Sequence, residues 1–254
     1  MQTGLRQTSI HLLVYLALHP DGVTRDQAAA VLWPDLPPDK IGNQFHTACT
    51  AVRRVIREVI GLDEPMFILR GSHHYRLDPH YIDVDTWRLS ALHQRADRAH
   101  SDAERIGALQ AFADLYTDDF ATDLSDEWIQ AHREYLRRTA LDALTRLADL
   151  YTADDQPEQA LNALEQAFRH DIYSEQLCRS IMQLQLRLNR PDAARRTYQL
   201  LSSRLLDIDT DPSDQTRQLL IDINSGHHDR QRLLRHRGQA DTSRPRNPAP
   251  RSAP

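Results

Sequence analysis

Residues 142–168, DALTRLADLYTADDQPEQALNALEQAF, and residues 175–201, EQLCRSIMQLQLRLNRPDAARRTYQLL, match each other when positions 34 residues apart are paired. Leu144 falls on Cys178, Leu147 on Ile181, Ala148 on Met182, Tyr151 on Gln185 and Leu164 on Tyr198. The first four pairs follow the i, i+3, i+4, i+7 spacing that lines one face of a helix. Pro157 and Pro191 recur in the first turn of the second helix, where the missing N–H costs nothing. Ala160 and Ala194 recur where a small side chain lets two helices approach closely. Such a unit is a helix pair with an apolar face left open, and it becomes stable only when neighbours stack on it. The amphipathic segments at 85–116 are expected to cap or extend the stack. From Asp85 onward the chain therefore reads as a helical repeat, and the fold class as mainly α.

The chain before residue 80 is organised differently. SIHLLVYLALHP crowds apolar residues into a mostly buried helix that stops at Pro20, and PDG makes a turn. Thr24, three residues before Gln27, makes a capping box for a short helix expected to bury Ala28, Val31 and Leu32. Pro34 ends that helix, because it lacks an N–H and disfavours helical geometry at Trp33, so Trp33 is expected to fold back over the small core. The connector DLPPD is stiff, and its Asp39 is placed to cap the next helix.

That next helix, KIGNQFHTACTAVRRVIREVI, carries Phe45, Cys49, Val52, Ile56 and Val59 on one stripe. Away from the stripe lie Asn43, His46, Thr47, Thr50, Arg53, Arg54 and Arg57. Asn, Thr and Arg reach base edges and phosphates when a helix lies in the major groove. An ordinary solvated face would accept the same residues. Gly61 ends the helix, and FILRGSHHYRL then reads as strand, turn, strand, with Gly71-Ser72 at the bend and Arg70 and Arg76 on either side. His73 and His74 are adjacent, which suits a surface more than one metal. Two helices on a tight connector followed by a basic hairpin is the order of a winged helix-turn-helix, the hairpin holding backbone phosphates.

Charge partitions unevenly. Lys+Arg against Asp+Glu is 8 to 8 over residues 1–78, 16 to 26 over 79–224 and 7 to 2 over 225–254. The neutral first segment weighs against nucleic-acid binding, which draws much of its affinity from phosphate neutralisation. The two cysteines, Cys49 and Cys178, sit on apolar helix faces and read as core residues rather than as a disulfide. No apolar run spans a bilayer and no secretory leader is evident, so the expected location is the cytoplasm, with no membrane partner. Eight scattered glycines form no phosphate loop, and neither G-x-S-x-G nor H-E-x-x-H occurs. Asp118-Asp119 and Asp154-Asp155 fall in turns, where aspartate caps locally. No catalytic residue, cofactor or metal site is expected, and the chain reads as no enzyme.

LLVYLALHPDGVTRDQAAAVLWPDLPPDKIGNQFHTACTAVRRVIREV, followed by LRGSHHYRL, resembles the OmpR-type winged helix of bacterial regulators. The version it most resembles is that of the antibiotic regulatory protein (SARP) family, in which LWPD leads into the recognition helix. LYTDDFATDLSDEWIQAHREYLRRTALDALTRLADLY and LLDIDTDPSDQTRQLL are similar to the start and end of the bacterial transcriptional activator domain, which follows the winged helix in that family. The 34-residue period is that of tetratricopeptide repeats. Tyr116, Asp119, Phe120 and Trp128 lie in the most family-like stretch and are expected to be core and corner residues. The resemblance implies a winged helix-turn-helix domain at 1–80, the activator domain with repeats like those of tetratricopeptide proteins at 81–224, and a tail at 225–254. It implies binding to double-stranded DNA as a homodimer on promoter repeats, with RNA polymerase engaged through the loop holding Asp35, Leu36 and Asp39. The family places a small β-sheet ahead of the first helix, and this chain starts almost on that helix. It is therefore expected to be either the C-terminal part of a longer regulator or an incomplete winged helix.

Two functions are open at this point. One is a transcriptional regulator, an activator by resemblance, that reads DNA through helix 40–60 and the 67–77 wing. The other is a protein-interaction module whose repeats bind a peptide while the winged helix docks a protein. The Arg- and Pro-rich tail is expected to be unstructured, and its His227-His228-Asp229 makes a poor metal site.

Overall fold

A computed structural model describes residues 5–71 and 73–225; the expectations for Ser72 at the bend and for the tail from 226 onward lie outside the described residues. The chain packs as two compact units, Met1–Glu134 and Tyr135–Pro254.

The first unit runs α1 (Gln7–Leu18), β1 (Val23–Thr24), α2 (Arg25–Leu32), α3 (Pro38–Ile60), β2 (Ile68–Arg70), β3 (His74–Leu77), α4 (Asp85–Asp97) and α5 (Asp102–Leu115), then enters α6 (Glu127–Ala153). The three strands form one antiparallel sheet in the order β1-β3-β2, with Val23 opposite Tyr75 and Ile68 opposite Leu77. Three helices and a hairpin follow one another in the order that the sequence signals predict. Leu12, Leu16, Val23, Ala28, Phe45, Cys49, Val52, Ile68 and Leu77 make their core. Gly22 turns the chain into β1 at φ +95°, and a Cβ there would stand 3.2 Å from the Tyr75 carbonyl oxygen. The capping box is present: the Thr24 hydroxyl accepts from the Gln27 amide at 3.1 Å, and the Gln27 side chain accepts from the Thr24 amide at 2.8 Å.

Three local expectations fail. Val31 is 37% exposed and Ala29 is buried in its place, because a helix this short turns only one narrow face, through Ala28 and Ala29, to the core. Val59 is 75% exposed, because α3 outruns the small core it packs on; Val55 closes the buried stripe instead. Asp39 does not cap α3. Pro37 holds the cap position and Pro38 the first helical position, leaving Asp39 in the first turn, where a carboxylate suits the helix dipole.

The chain from residue 81 to Glu134 is tied into this unit. The Trp87 indole donates to the Ala17 carbonyl at 2.6 Å, and the Trp128 ring meets Tyr15 edge-on at 5.6 Å. His11 Nε2 lies 3.1 Å from an Asp126 carboxylate oxygen. Tyr116 is buried, and its hydroxyl donates to Asp119 at 3.1 Å. Arg133 shapes the corner between α5 and α6 by donating to the carbonyls of Phe120, Ala121 and Leu124 at 2.8, 2.6 and 2.9 Å. No spacing in the sequence points to Arg133.

The second unit continues α6 and adds α7 (Pro157–His170), α8 (Glu175–Arg187), α9 (Pro191–Leu206) and α10 (214–225). The repeat is visible in the backbone itself. Gln156 N–H donates to Tyr151 O at 2.8 Å, and 34 residues later Arg190 N–H donates to Gln185 O at 2.7 Å. Asp155 and Asn189, at equivalent positions, both take left-handed φ of 53° and 57°. Asp and Asn tolerate that region, so they do here what glycine does elsewhere. Leu144, Leu147, Ala148, Cys178, Ile181 and Met182 are all buried, as are Ala160 and Ala194. Burial pushes the Cys178 thiol up to about 12, which keeps it protonated and inert.

Glu175 fastens α10. One carboxylate oxygen accepts from the Ser213 amide at 2.8 Å, the Ser213 hydroxyl at 2.6 Å and the Thr216 hydroxyl at 2.5 Å. Burial alone would raise this carboxyl, but those hydrogen bonds, with Arg179 beside them, outweigh it and hold it below the usual range. A depressed carboxyl stabilises the fold above its unfolded value of about 4.3, and that contribution fades as pH falls through the lower folded value. Glu175→Gln is expected to cost about 1.5–3 kcal/mol at neutral pH, through weaker bonds to a neutral acceptor. Hydrogen exchange of residues 214–225 measures it: protection should drop in the variant, and in the parent as pH is lowered from neutral toward 3.

Candidate nucleic-acid interface

The candidate surface is built on α3. Pro38 starts this helix and Gly61, at φ +72°, ends it. Phe45, Ala48, Cys49, Val52 and Val55 are buried against the core. Asn43, His46, Thr47, Thr50 and Arg54 are exposed along the opposite side, so the two sides separate as the period requires. Burial pushes the Cys49 thiol up to about 11, against the lowering pull of Arg53, so it is a packing residue and no nucleophile.

The arginines of α3 divide. Arg53 donates to the Met66 carbonyl at 3.0 Å and the Ile68 carbonyl at 2.7 Å, and Arg57 reaches the Pro65 carbonyl at 3.4 Å. Both brace the segment leading into β2, so they set the position of the wing relative to the helix. Among the described residues Arg54 carries only an ion pair to Glu58 at 3.8 Å, with both side chains 65% exposed, and a pair that open holds its guanidinium weakly. Arg53→Ala should loosen the wing at a cost of about 1.5–3 kcal/mol, as befits charge-assisted bonds to backbone carbonyls. Amide chemical shifts of residues 66–77 check this, and an unmoved hairpin would refute the brace.

The hairpin register separates the two wing arginines. Arg70 pairs with Tyr75, while Arg76 pairs with Leu69, so the two arginines project from opposite faces of the ribbon. Arg70 lies on the face shared with Tyr75, whose ring it approaches to 5.9 Å and which packs on Phe45 at 4.6 Å between centroids. That is the α3 side. Arg76 lies on the other side with His74, and His73 and His74 are both exposed. In the connector, Trp33 meets Phe45 edge-on at 6.4 Å and its carbonyl accepts from the Leu36 amide at 3.1 Å. This turn leaves Asp35 and Asp39 exposed and Leu36 half-buried. In the second unit a separate groove of about 550 Å³ lies between α6 and α8, lined by Asp142, Asp149, Asp171 and Arg187 among others. Among the described residues no helix is long and apolar enough to cross a membrane.

No curated protein sequence matches this chain. Among solved structures, Mycobacterium tuberculosis EmbR, in complex with a low-affinity phosphopeptide, superposes with a TM-score of 0.60 at 19% identity, covering 87% of this chain and 60% of its own. The chain thus spans about three fifths of that protein, and the likeness is one of fold. The C-terminal TPR-containing domain of a Plasmodium falciparum FK506-binding protein matches at 11% identity over 60% of this chain and 98% of its own, with a TM-score of 0.41, too low to argue from. Residues 84–223 match the family described as bacterial transcriptional activator domain, from just before α4 to near the end of α10. The matched span holds both the Arg133 corner and the stacked helix pairs and exceeds half of the chain, so this chain belongs to the bacterial transcriptional activator domain family.

Proposed function

We propose that the chain is a DNA-binding transcriptional regulator of the SARP type, with an OmpR-type winged helix, acting as an activator. The observation that carries the reading is the open stripe Asn43, His46, Thr47, Thr50 and Arg54 along α3, opposite a fully buried apolar stripe. In this reading α3 enters the major groove, the stripe reads base edges, and Arg70 and Arg76 of the wing meet the backbone. Arg53 and Arg57 act through the wing they position. Residues 1–80 form the DNA-contacting domain and 81–224 the activator domain, which pairs two copies on repeated half-sites. Asp35, Leu36 and Asp39 offer RNA polymerase a contact. The protein works in the cytoplasm and catalyses nothing. The neutral charge of the first segment is compatible with this reading. Of the carboxylates in this segment, Glu58, Asp63 and Glu64 lie at and beyond the C-terminal end of α3, and none lies in the hairpin 67–77, which carries Arg70 and Arg76.

A second reading, a protein-interaction module that binds no DNA, draws on the α6–α8 groove, whose carboxylates suit a basic peptide. Selection of bound sequences from a random duplex pool, followed by a gel-shift salt series on the winner, separates the two. Enrichment of a repeated motif supports the regulator. Failure to enrich any sequence, with no shift at any salt below physiological strength, supports the interaction module.

A further inference from the structure

We propose that the cleft between the first turn of α2 and the wing is a phosphate-binding site, which grips one backbone phosphate of the duplex through Arg25 and Arg70. It rests on the DNA-reading function proposed above and adds a contact from α2, a helix to which the sequence assigned none.

The cleft has a volume of about 360 Å³ and is lined by Thr24, Arg25, Asp26, Arg70, His73 and Tyr75. Its residues come from segments 44 or more positions apart, and the sheet brings them together. Thr24 pairs with His74 and Arg70 with Tyr75, so the chain leaves β1 into Arg25 at the level of His73, the residue before β3. Arg25 Nε bonds Asp26 at 3.0 Å, which leaves both of its terminal amino groups without a hydrogen bond among the described residues. One of them, Nη1, lies 3.6 Å from where a Cβ on Gly42 would stand, so this guanidinium reaches the first turns of α3 beside Asn43. Arg70 has no ion pair or hydrogen bond among the described residues, only the Tyr75 ring beneath it. Arg53 spends donors on two carbonyls and Arg57 on one, whereas Arg25 keeps its terminal amino groups and Arg70 its guanidinium for an acceptor from outside.

The chemistry selects the ligand class. Two guanidiniums on either side of a cleft, with one carboxylate already answered by Arg25, leave an excess of N–H donors and of positive charge. A tetrahedral phosphate monoanion or diester accepts bidentate bonds from such forks, and the imidazole of His73 adds another donor at the rim. Because Arg25 stands beside α3, the phosphate bound here flanks the groove that α3 enters.

The test uses the full chain, a mixed-sequence duplex of about three helical turns, and inorganic phosphate as a separate probe. Arg25→Ala and Arg70→Ala should each weaken binding to the duplex roughly tenfold. Each should also lower the slope of log affinity against log salt by about 0.9, the loss of one phosphate contact. The double variant should lose little more slope than either single, since both residues hold the same phosphate. Arg25→Lys should restore most of the slope, and Arg98→Ala, an exposed charge elsewhere, should change nothing. If the parent binds the duplex and neither slope moves, the cleft holds no phosphate and DNA reading stands without it. If calorimetry finds inorganic phosphate bound through Arg25 while duplex binding ignores the substitution, the site serves a free anion and the backbone assignment is wrong. A parent that binds no duplex removes both.

Discussion

Replacing Thr50 and Arg54 together by alanine is expected to lower affinity for the selected promoter sequence by about 100-fold while leaving the thermal transition of the protein in place. Each side chain lies on the open side of α3, and neither contributes to the buried stripe. A good bidentate contact to a base is worth about 1–3 kcal/mol of discrimination, and the Arg54 guanidinium has the fork to make one to guanine. Thr50 adds a methyl and a hydroxyl one to two turns nearer the helix start. The loss should concentrate on the selected sequence, with affinity for unrelated duplex falling much less, because the phosphate contacts proposed for α2 and the wing would remain. The ion pair to Glu58 is too exposed to make Arg54 structural, so a folding defect would be unexpected. Equal affinity of parent and variant for the selected sequence, measured by gel shift at fixed salt, would end the case that α3 reads bases.

The second large effect falls on the repeat. Leu147→Ala and Ile181→Ala are each expected to cost about 2–5 kcal/mol, the range for truncating a fully buried Leu or Ile. Both side chains are essentially inaccessible, at 1% and 2% exposure, and they occupy the same position 34 residues apart. In a stacked array each layer supports its neighbour, so loss in one layer should loosen the other as well. Urea unfolding followed by hydrogen exchange of α7 to α9 would register both. If Leu147→Ala left α8 and α9 fully protected, the helix pairs would be independent, and the one-dimensional stacking argument would fail.

Much of this fold was legible in the chain because its determinants are local. The capping box at Thr24, the stop at Gly61 and the prolines opening α7 and α9 each depend on sterics and hydrogen bonds within a few residues. The left-handed Asp155 and Asn189 are local too, and their 34-residue spacing was there to find once the alignment was made. The two sides of α3 were legible for the same reason, since a 3.6-residue period is a property of the helix alone. Where local period and tertiary contact part company, the reading slipped: Val59 continues the apolar period and meets nothing, because the core beneath it has ended.

By itself, then, the sequence determined the helix pairs and their period, the order of helices and hairpin, and which side of α3 faces outward. Only the tertiary structure decided which of three arginines on α3 are spent on the wing, that Arg70 and Arg76 part to opposite faces, and that Glu175 reaches Ser213 and Thr216 across some 40 residues. It alone also carried the first compact unit to Glu134 and set Arg25 across a cleft from Arg70. The physical reason is common to all of these. Periodicity and capping act over one or two turns of chain, whereas a guanidinium or carboxylate finds its partner through space, and arginines of identical chemistry differ only in what the fold brings within hydrogen-bond reach.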